Sequence, residues 1–196
     1  MADLFKQLEL EAFRAGITPR TKESIDWFRK KAQRLRVPNR NRLMREEPLE
    51  LQPRQVIGSM YMFFYDPKGK DTLPYYDSFP LVIVTGKAAG GFYGLNLHYL
   101  PPVLRARFLD ALMDETNNKV YDESTRFRAT YGLLQRSAKM RYFKPCFKHY
   151  LTPNVRSRFA YVPPPEWEIA TFLPTADFQK ASKSQVYTDS RKAING

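Results

Sequence analysis

Residues 79–86, FPLVIVTG, carry no charged side chain, and the block GGFYGLNLHYL (90–100) that follows is nearly as apolar. A short apolar run rich in β-branched residues and bounded by turn signals is a strand covered on both faces. The glycine-rich connection 86–91 supplies residues that adopt positive φ and predicts a tight link between two such strands. GSMYMFFYDP (58–67), aromatic and Met-rich, reads as a third buried strand. A chain with this centre has to surround it with other elements.

The flanks supply helices. Phe5, Leu8 and Ala12 form one stripe of a helix over 3–15 that Gly16 stops. In ITPRTKESIDWFRKKAQRLR, Thr18 is the expected cap and Pro19 suits the first turn. Ile25, Phe28, Ala32 and Leu35 then make the buried face, and Pro38 ends the helix. The segment after it, with Pro38, Pro48 and Pro53, reads as a linker. PPVLRARFLDALMDET predicts an amphipathic helix, and DESTRFRATYGLLQRSAKMRYF a second one, broken or bent at Gly132. A final strand is expected over Glu168–Leu173. The expected class is α+β: a small antiparallel sheet or barrel, similar to the Src-homology-3 type, with an N-terminal helical arm and flanking helices. The expected partition is a basic arm and linker (1–54), an α+β core (55–176) and a polar tail (177–196).

Charge divides the chain differently. The whole carries +12, and residues 14–45 hold eleven basic against two acidic side chains. Residues 55–125 hold six basic against eight acidic, and residues 126–158 nine basic with no acid at all. Two cationic blocks thus flank a near-neutral centre, and the self-repulsion within each favours an anionic partner. Arg29, Lys30, Arg34 and Arg36 in the first block, with Arg136, Lys139, Arg141, Lys144 and Lys148 in the second, are the candidate DNA contacts. Tyr75 and Tyr76 are the candidate base-stacking residues, in a group with Phe92, Tyr93 and Tyr99.

Catalytic signatures are not assembled. Cys146 and His149 sit three apart, but a structural zinc site needs four ligands and there is no second such pair. GKAAGG lacks the Ser or Thr that follows Lys in a phosphate loop. Asp66, Asp71 and Asp77 share a loop region where carboxylates for a metal-dependent nuclease would sit, yet Asp66-Pro67 and Asp71-Thr72 are also ordinary turn signals. His98 is read as a hydrogen-bonded structural histidine. No catalytic residue, cofactor or metal is expected. One cysteine permits no intrachain disulfide, and no apolar run approaches the roughly 18 residues of a membrane span. No membrane partner is expected.

Several long blocks go further: FRAGITPRTKES with WFRKKA (13–32), YDPKGKDTLPYYDSFPLVIV (65–84), GGFYGLNLHYLPP (90–102), FKPCFKHYL (143–151) and PPPEWEIATFLPTADFQKAS (163–182). Their content and order resemble the DNA end protector family of T-even-like tailed bacteriophages. The resemblance implies a virion protein, assembled in the host cytoplasm and acting late in head maturation. It implies binding to double-stranded DNA ends, protection of them from host exonuclease, and neighbours among head, portal or neck proteins; an oligomer within the particle is a further expectation. The competing expectation is a connector, neck or baseplate protein without end specificity.

Overall fold

The structure is a computed structural model that describes residues 3–47 and 49–196; Pro48 of the expected linker, and residues 1 and 2 of the expected arm, lie outside the described residues. Six strands form one sheet: β1 (Glu50–Gln52), β2 (Met60–Met62), β4 (Leu81–Ala88), β5 (Gly91–Asn96), β6 (Phe147–Leu151) and β7 (Phe159–Val162). Their order is β1-β7-β2-β4-β5-β6, with every neighbour antiparallel. The short strands β3 (Tyr76–Asp77) and β8 (Phe178–Gln179) make a separate two-stranded ribbon. Mixed helix and antiparallel sheet is the class expected. The barrel is not: β1 and β6 are outer edges that do not pair, so among the described residues the sheet stays open.

Alternation along the strands feeds two cores. Met60, Met62, Leu81, Ile83, Leu95, Ala160 and Val162 face the helices. Tyr61, Phe63, Val82, Val84, Phe92, Tyr150 and Phe159 build a second, largely aromatic cluster on the opposite face. Phe63 sits at its centre, in edge-on contact with Tyr65, Phe92, Tyr150 and Phe159. The run FPLVIVT lacks a polar face because both of its faces are covered.

The helices are α1 (Leu4–Arg14), α2 (Lys22–Ala32), α3 (Arg40–Leu43), α4 (Pro102–Asn117), α5 (Glu123–Lys139), α6 (Trp167–Phe172) and α7 (Lys183–Asn195). Phe5 and Leu8 of α1, Ile25 and Phe28 of α2, Leu43 of α3 and Val186 of α7 all enter the same buried cluster as the sheet. The stretches expected as arm and tail therefore contribute core side chains. Ser24 of α2 donates to the buried Glu168 carboxylate of α6, which ties the second helix down.

Four expectations of local structure are corrected. Helix α2 is capped by Thr21, not Thr18: Thr21 and Ser24 bond reciprocally to each other's backbone, and Arg20 takes a positive φ of 60° just before. Glu168–Leu173 is not a strand but falls mostly in α6, whose six residues are all buried. A helix buried all round shows no 3.6-residue period, so its sequence is indistinguishable from a buried strand. Helix α5 runs unbroken through Gly132. The strand expected in the block 90–100 ends at Asn96, and His98 lies in a 3-10 turn, Leu97–Tyr99, where it is buried along with both neighbours.

The glycines separate sharply in role. A Cβ on Gly91 would overlap the Tyr150 carbonyl of β6, whereas one on Gly132 would meet nothing within 4 Å. Gly91→Ala is expected to lower stability by about 2–3 kcal/mol by forcing β5 off β6. Gly132→Ala is expected to raise it by about 0.5–1 kcal/mol through helix propensity. Urea denaturation midpoints of the two variants check both.

Candidate nucleic-acid interface

The residues with the most catalytic appearance are locked inside. Asp77 Oδ1 accepts from the amides of Phe79 (3.1 Å) and Asp177 (3.0 Å), and Oδ2 from Asn96 Nδ2 (3.1 Å) and His98 Nδ1 (2.7 Å). His98 Nε2 meets Thr175 Oγ1 at 3.1 Å. Burial disfavours the Asp77 carboxylate, but the His98 contact and the amide donors more than offset it, so its pKa is lowered. Burial, with help from the nearby Arg105 and Lys183 charges, outweighs the Asp77 contact and lowers the His98 pKa, so the ring is neutral at pH 7. Ring and carboxylate are both shut away from solvent with their hydrogen bonds satisfied. This is a structural centre.

Asp66, Asp71, Cys146 and His149 do not gather into a site. Asp66 pairs with Lys70 (2.9 Å) and Arg156 (3.5 Å) on the surface, and the Asp71 carbonyl accepts from Lys180 Nζ (3.0 Å). Cys146 is buried, its thiol pushed up to about 12 by that burial, while His149 is exposed with Nε2 3.0 Å from the Ala89 carbonyl. Among the described residues no group of three His, Cys, Asp or Glu side chains is placed to hold a metal ion.

The basic candidates fall into three kinds. Lys30, Arg34 and Arg36 on and just after α2 are exposed, and none makes an ion pair among the described residues. Arg29 pairs with Asp26 at 2.9 Å along the same helix. In the second block Arg136, Lys139, Arg141 and Lys144 are exposed and unpaired by any carboxylate among the described residues. Arg128, which nothing in its local sequence distinguishes from the rest of the block, is exposed on α5 and joins them. Lys148 is different. Its Nζ sits 4.1 Å over the Tyr99 ring, and desolvation there lowers its pKa.

The aromatic candidates sort by exposure. Phe92 and Tyr99 are buried; Tyr75 is half-buried with its ring 6.1 Å from that of Tyr99; Tyr76 is half-buried in the β3–β8 ribbon. Tyr93 alone of the five is exposed, at 36%. It pairs across strands with His149, and its ring stacks on Phe147 at 5.2 Å and 21°. The signal for Phe147 and His149 was alternation within FKHYL, which puts both on the Tyr93 face.

These observations define one surface. Strands β4, β5 and β6 and all residues from 126 to 158 contain no Asp or Glu. Gln135 of α5 donates to the Thr85 carbonyl of β4, one residue from the Gly86 that pairs with Tyr93, so the cationic end of α5 lies beside the Tyr93–Phe147–His149 patch. A cationic surface with exposed rings and no carboxylate suits a polyanion that carries flat bases.

A family model described as phage T4 terminal DNA protecting protein matches residues 5–194. No curated protein and no solved structure matches the chain. No helix of the described residues is long and apolar enough to cross a membrane.

His98→Gln is expected to cost about 2–3 kcal/mol, because the buried Asp77 charge loses a donor. The sign with pH follows from the lowered His98 pKa. The unfolded chain gains a proton near pH 6.5 that the folded ring refuses, so this stabilisation is present above that pH and is lost as pH falls. The wild-type advantage over His98→Gln should shrink by about 1–2 kcal/mol between pH 7.5 and pH 5, read from denaturation at each pH.

Proposed function

The chain belongs to the phage T4 terminal DNA protecting protein family, and on that premise we propose that it binds the ends of packaged linear DNA in the phage particle, shields them from host exonuclease and aids head completion. The observation that carries this reading is the acid-free stretch 126–158 beside the acid-free strands β4–β6. Protecting an end requires affinity and steric cover, and no bond need be made or broken. Arg136, Lys139, Arg141 and Lys144, with Lys30, Arg34 and Arg36, supply sequence-independent phosphate contacts. Arginine adds a planar fork that grips phosphate oxygens in pairs. Lys148, half-buried with its Nζ 4.1 Å over the Tyr99 ring, adds a partly desolvated cation to the same block. In this reading the protein is a late virion component, assembled in the host cytoplasm beside head, portal or neck proteins.

A second reading draws on a different surface. Phe127 and Leu134 lie seven residues apart on one stripe of α5; Leu134 is buried, while Phe127 is 64% exposed and stacked with Tyr131. Such an uncovered half-stripe is what subunits bury against each other, as a connector or baseplate component without end specificity would.

Linear and closed circular DNA of one sequence separate the two readings. End binding expects tighter association with the linear form and protection of its ends against a processive exonuclease. Changing Arg136, Lys139, Arg141 and Lys144 to Gln should reduce the slope of log affinity against log salt by about 0.9 per lost phosphate contact. Equal binding to both forms, no protection and symmetric oligomers would leave the connector reading in its place.

A further inference from the structure

A buried cation without a counter-ion lies at the meeting point of α2, α4 and α7. Arg105 is 4% exposed, and no carboxylate among the described residues pairs with it. Its Nε donates to the Leu100 carbonyl (2.7 Å), Nη1 to that of Thr171 (3.1 Å), and Nη2 to that of His98 (3.2 Å) and to the Tyr187 hydroxyl (2.6 Å). A guanidinium has five N–H donors, so one on Nη1 is unused. Neutral oxygens satisfy hydrogen bonds but leave the charge itself uncompensated, which is costly in a buried place.

Arg105 opens onto a cavity of about 140 Å³, lined also by Arg29, Gln33, Lys183 and Tyr187 and by no carboxylate. Arg29 engages Asp26 through Nη2, and its Nε is buried with no partner. Lys183 makes no hydrogen bond or ion pair among the described residues through its ammonium. Burial above all, followed by the Arg105 and Arg40 charges and opposed by the Asp77 and Asp177 carboxylates, lowers its pKa. Three cations with unused N–H groups therefore line one small space. Pockets for drug-sized ligands run to about 300–1,000 Å³, so this one suits a single oxyanion group and excludes a nucleoside.

We propose that this cavity binds the terminal phosphate monoester of a DNA strand. A terminal monoester carries close to two negative charges at pH 7 and three free oxygens, against one charge for an internal diester, and so matches three converging cations better. The route to the cavity has the same chemistry. Its wall from α2 and the residue after it, Arg29, Ala32 and Gln33, continues into the exposed Lys30, Arg34 and Arg36, which would lie along the approaching backbone. The inference rests on the end-binding reading and adds to it the group that distinguishes an end from the middle of a duplex.

The test uses the full chain and one duplex prepared with 5′-phosphate, with 3′-phosphate, and with hydroxyl at both ends, together with a closed circle of the same sequence. The expected result is that one phosphorylated form binds about tenfold tighter than the hydroxyl form. That difference should vanish in Lys183→Gln and in Gln33→Glu, the second of which sets a carboxylate in the cavity from an exposed position. Inorganic phosphate should raise the thermal midpoint of the wild type more than that of either variant at equal ionic strength, and the midpoints without phosphate report that the variants are folded. If linear DNA beats the circle but the hydroxyl and phosphorylated ends bind alike, the inference is overturned and end binding stands. If circle and linear forms bind alike, end binding falls and the DNA assignment of the cavity falls with it. A wild-type midpoint indifferent to phosphate would overturn the anion site itself.

Discussion

The Asp77 carboxylate holds together parts of the chain that share little else. Its donors come from just past its own strand (Phe79), from the end of β5 (Asn96), from the 3-10 turn after it (His98) and from the segment leading into β8 (Asp177). A buried charge is tolerated only when its lone pairs are filled, and here the filling groups lie up to 100 residues away in sequence. Asn96 also reaches the Tyr150 hydroxyl of β6, and His98 reaches Thr175. The centre thereby connects the sheet, the small ribbon and the C-terminal segment. Removing any donor leaves a charge in a dry place, so these elements stand or fall together.

From that centre the charge pattern becomes intelligible. The carbonyls of His98 and Leu100, immediately beyond the Asp77 network, are the ones that hold Arg105. A negative group is thus held by neutral donors on one side of the 3-10 turn and a positive group by neutral acceptors on the other, but only the carboxylate has four partners for its four lone-pair sites, while Arg105 keeps one N–H unused. The remaining positive charge is distributed to the outside: along α2, along α5 and its continuation into β6. Strands β4 to β6 hold no carboxylate, and two surface carboxylates elsewhere pair locally, Asp26 with Arg29 and Asp66 with Lys70. The protein keeps its cations apart by spreading them over two surfaces, and an anionic partner relieves the repulsion left within each.

What could be read in advance depended on whether local physics decided the matter. FPLVIVTG declared a doubly covered strand because nothing but burial on both faces tolerates such a run. Phe5, Leu8 and Ala12, and Ile25 with Phe28, declared their buried faces by helical spacing. The two cationic blocks and the long blocks resembling a phage end-protecting family were equally present in the linear order of residues. The family assignment and the α+β class therefore follow from sequence alone.

The tertiary structure decided the rest, wherever the answer depended on neighbours distant in the chain. Whether WEIATF is helix or strand turned on its being enclosed on every side, which erases periodicity. Whether the sheet closes turned on the pairing of its outer strands. Phe92 became packing, and Tyr93 a surface ring, because of register across β4, β5 and β6, while Tyr75 stayed half-buried beside the enclosed Tyr99. Lys148 came to rest over the Tyr99 ring, half-buried, and Arg105, outside both basic blocks, became the uncompensated charge of a cavity. Composition and spacing specify which side chains are available; only packing specifies which of them keep their water, and that loss of water is what turns a charge into a site.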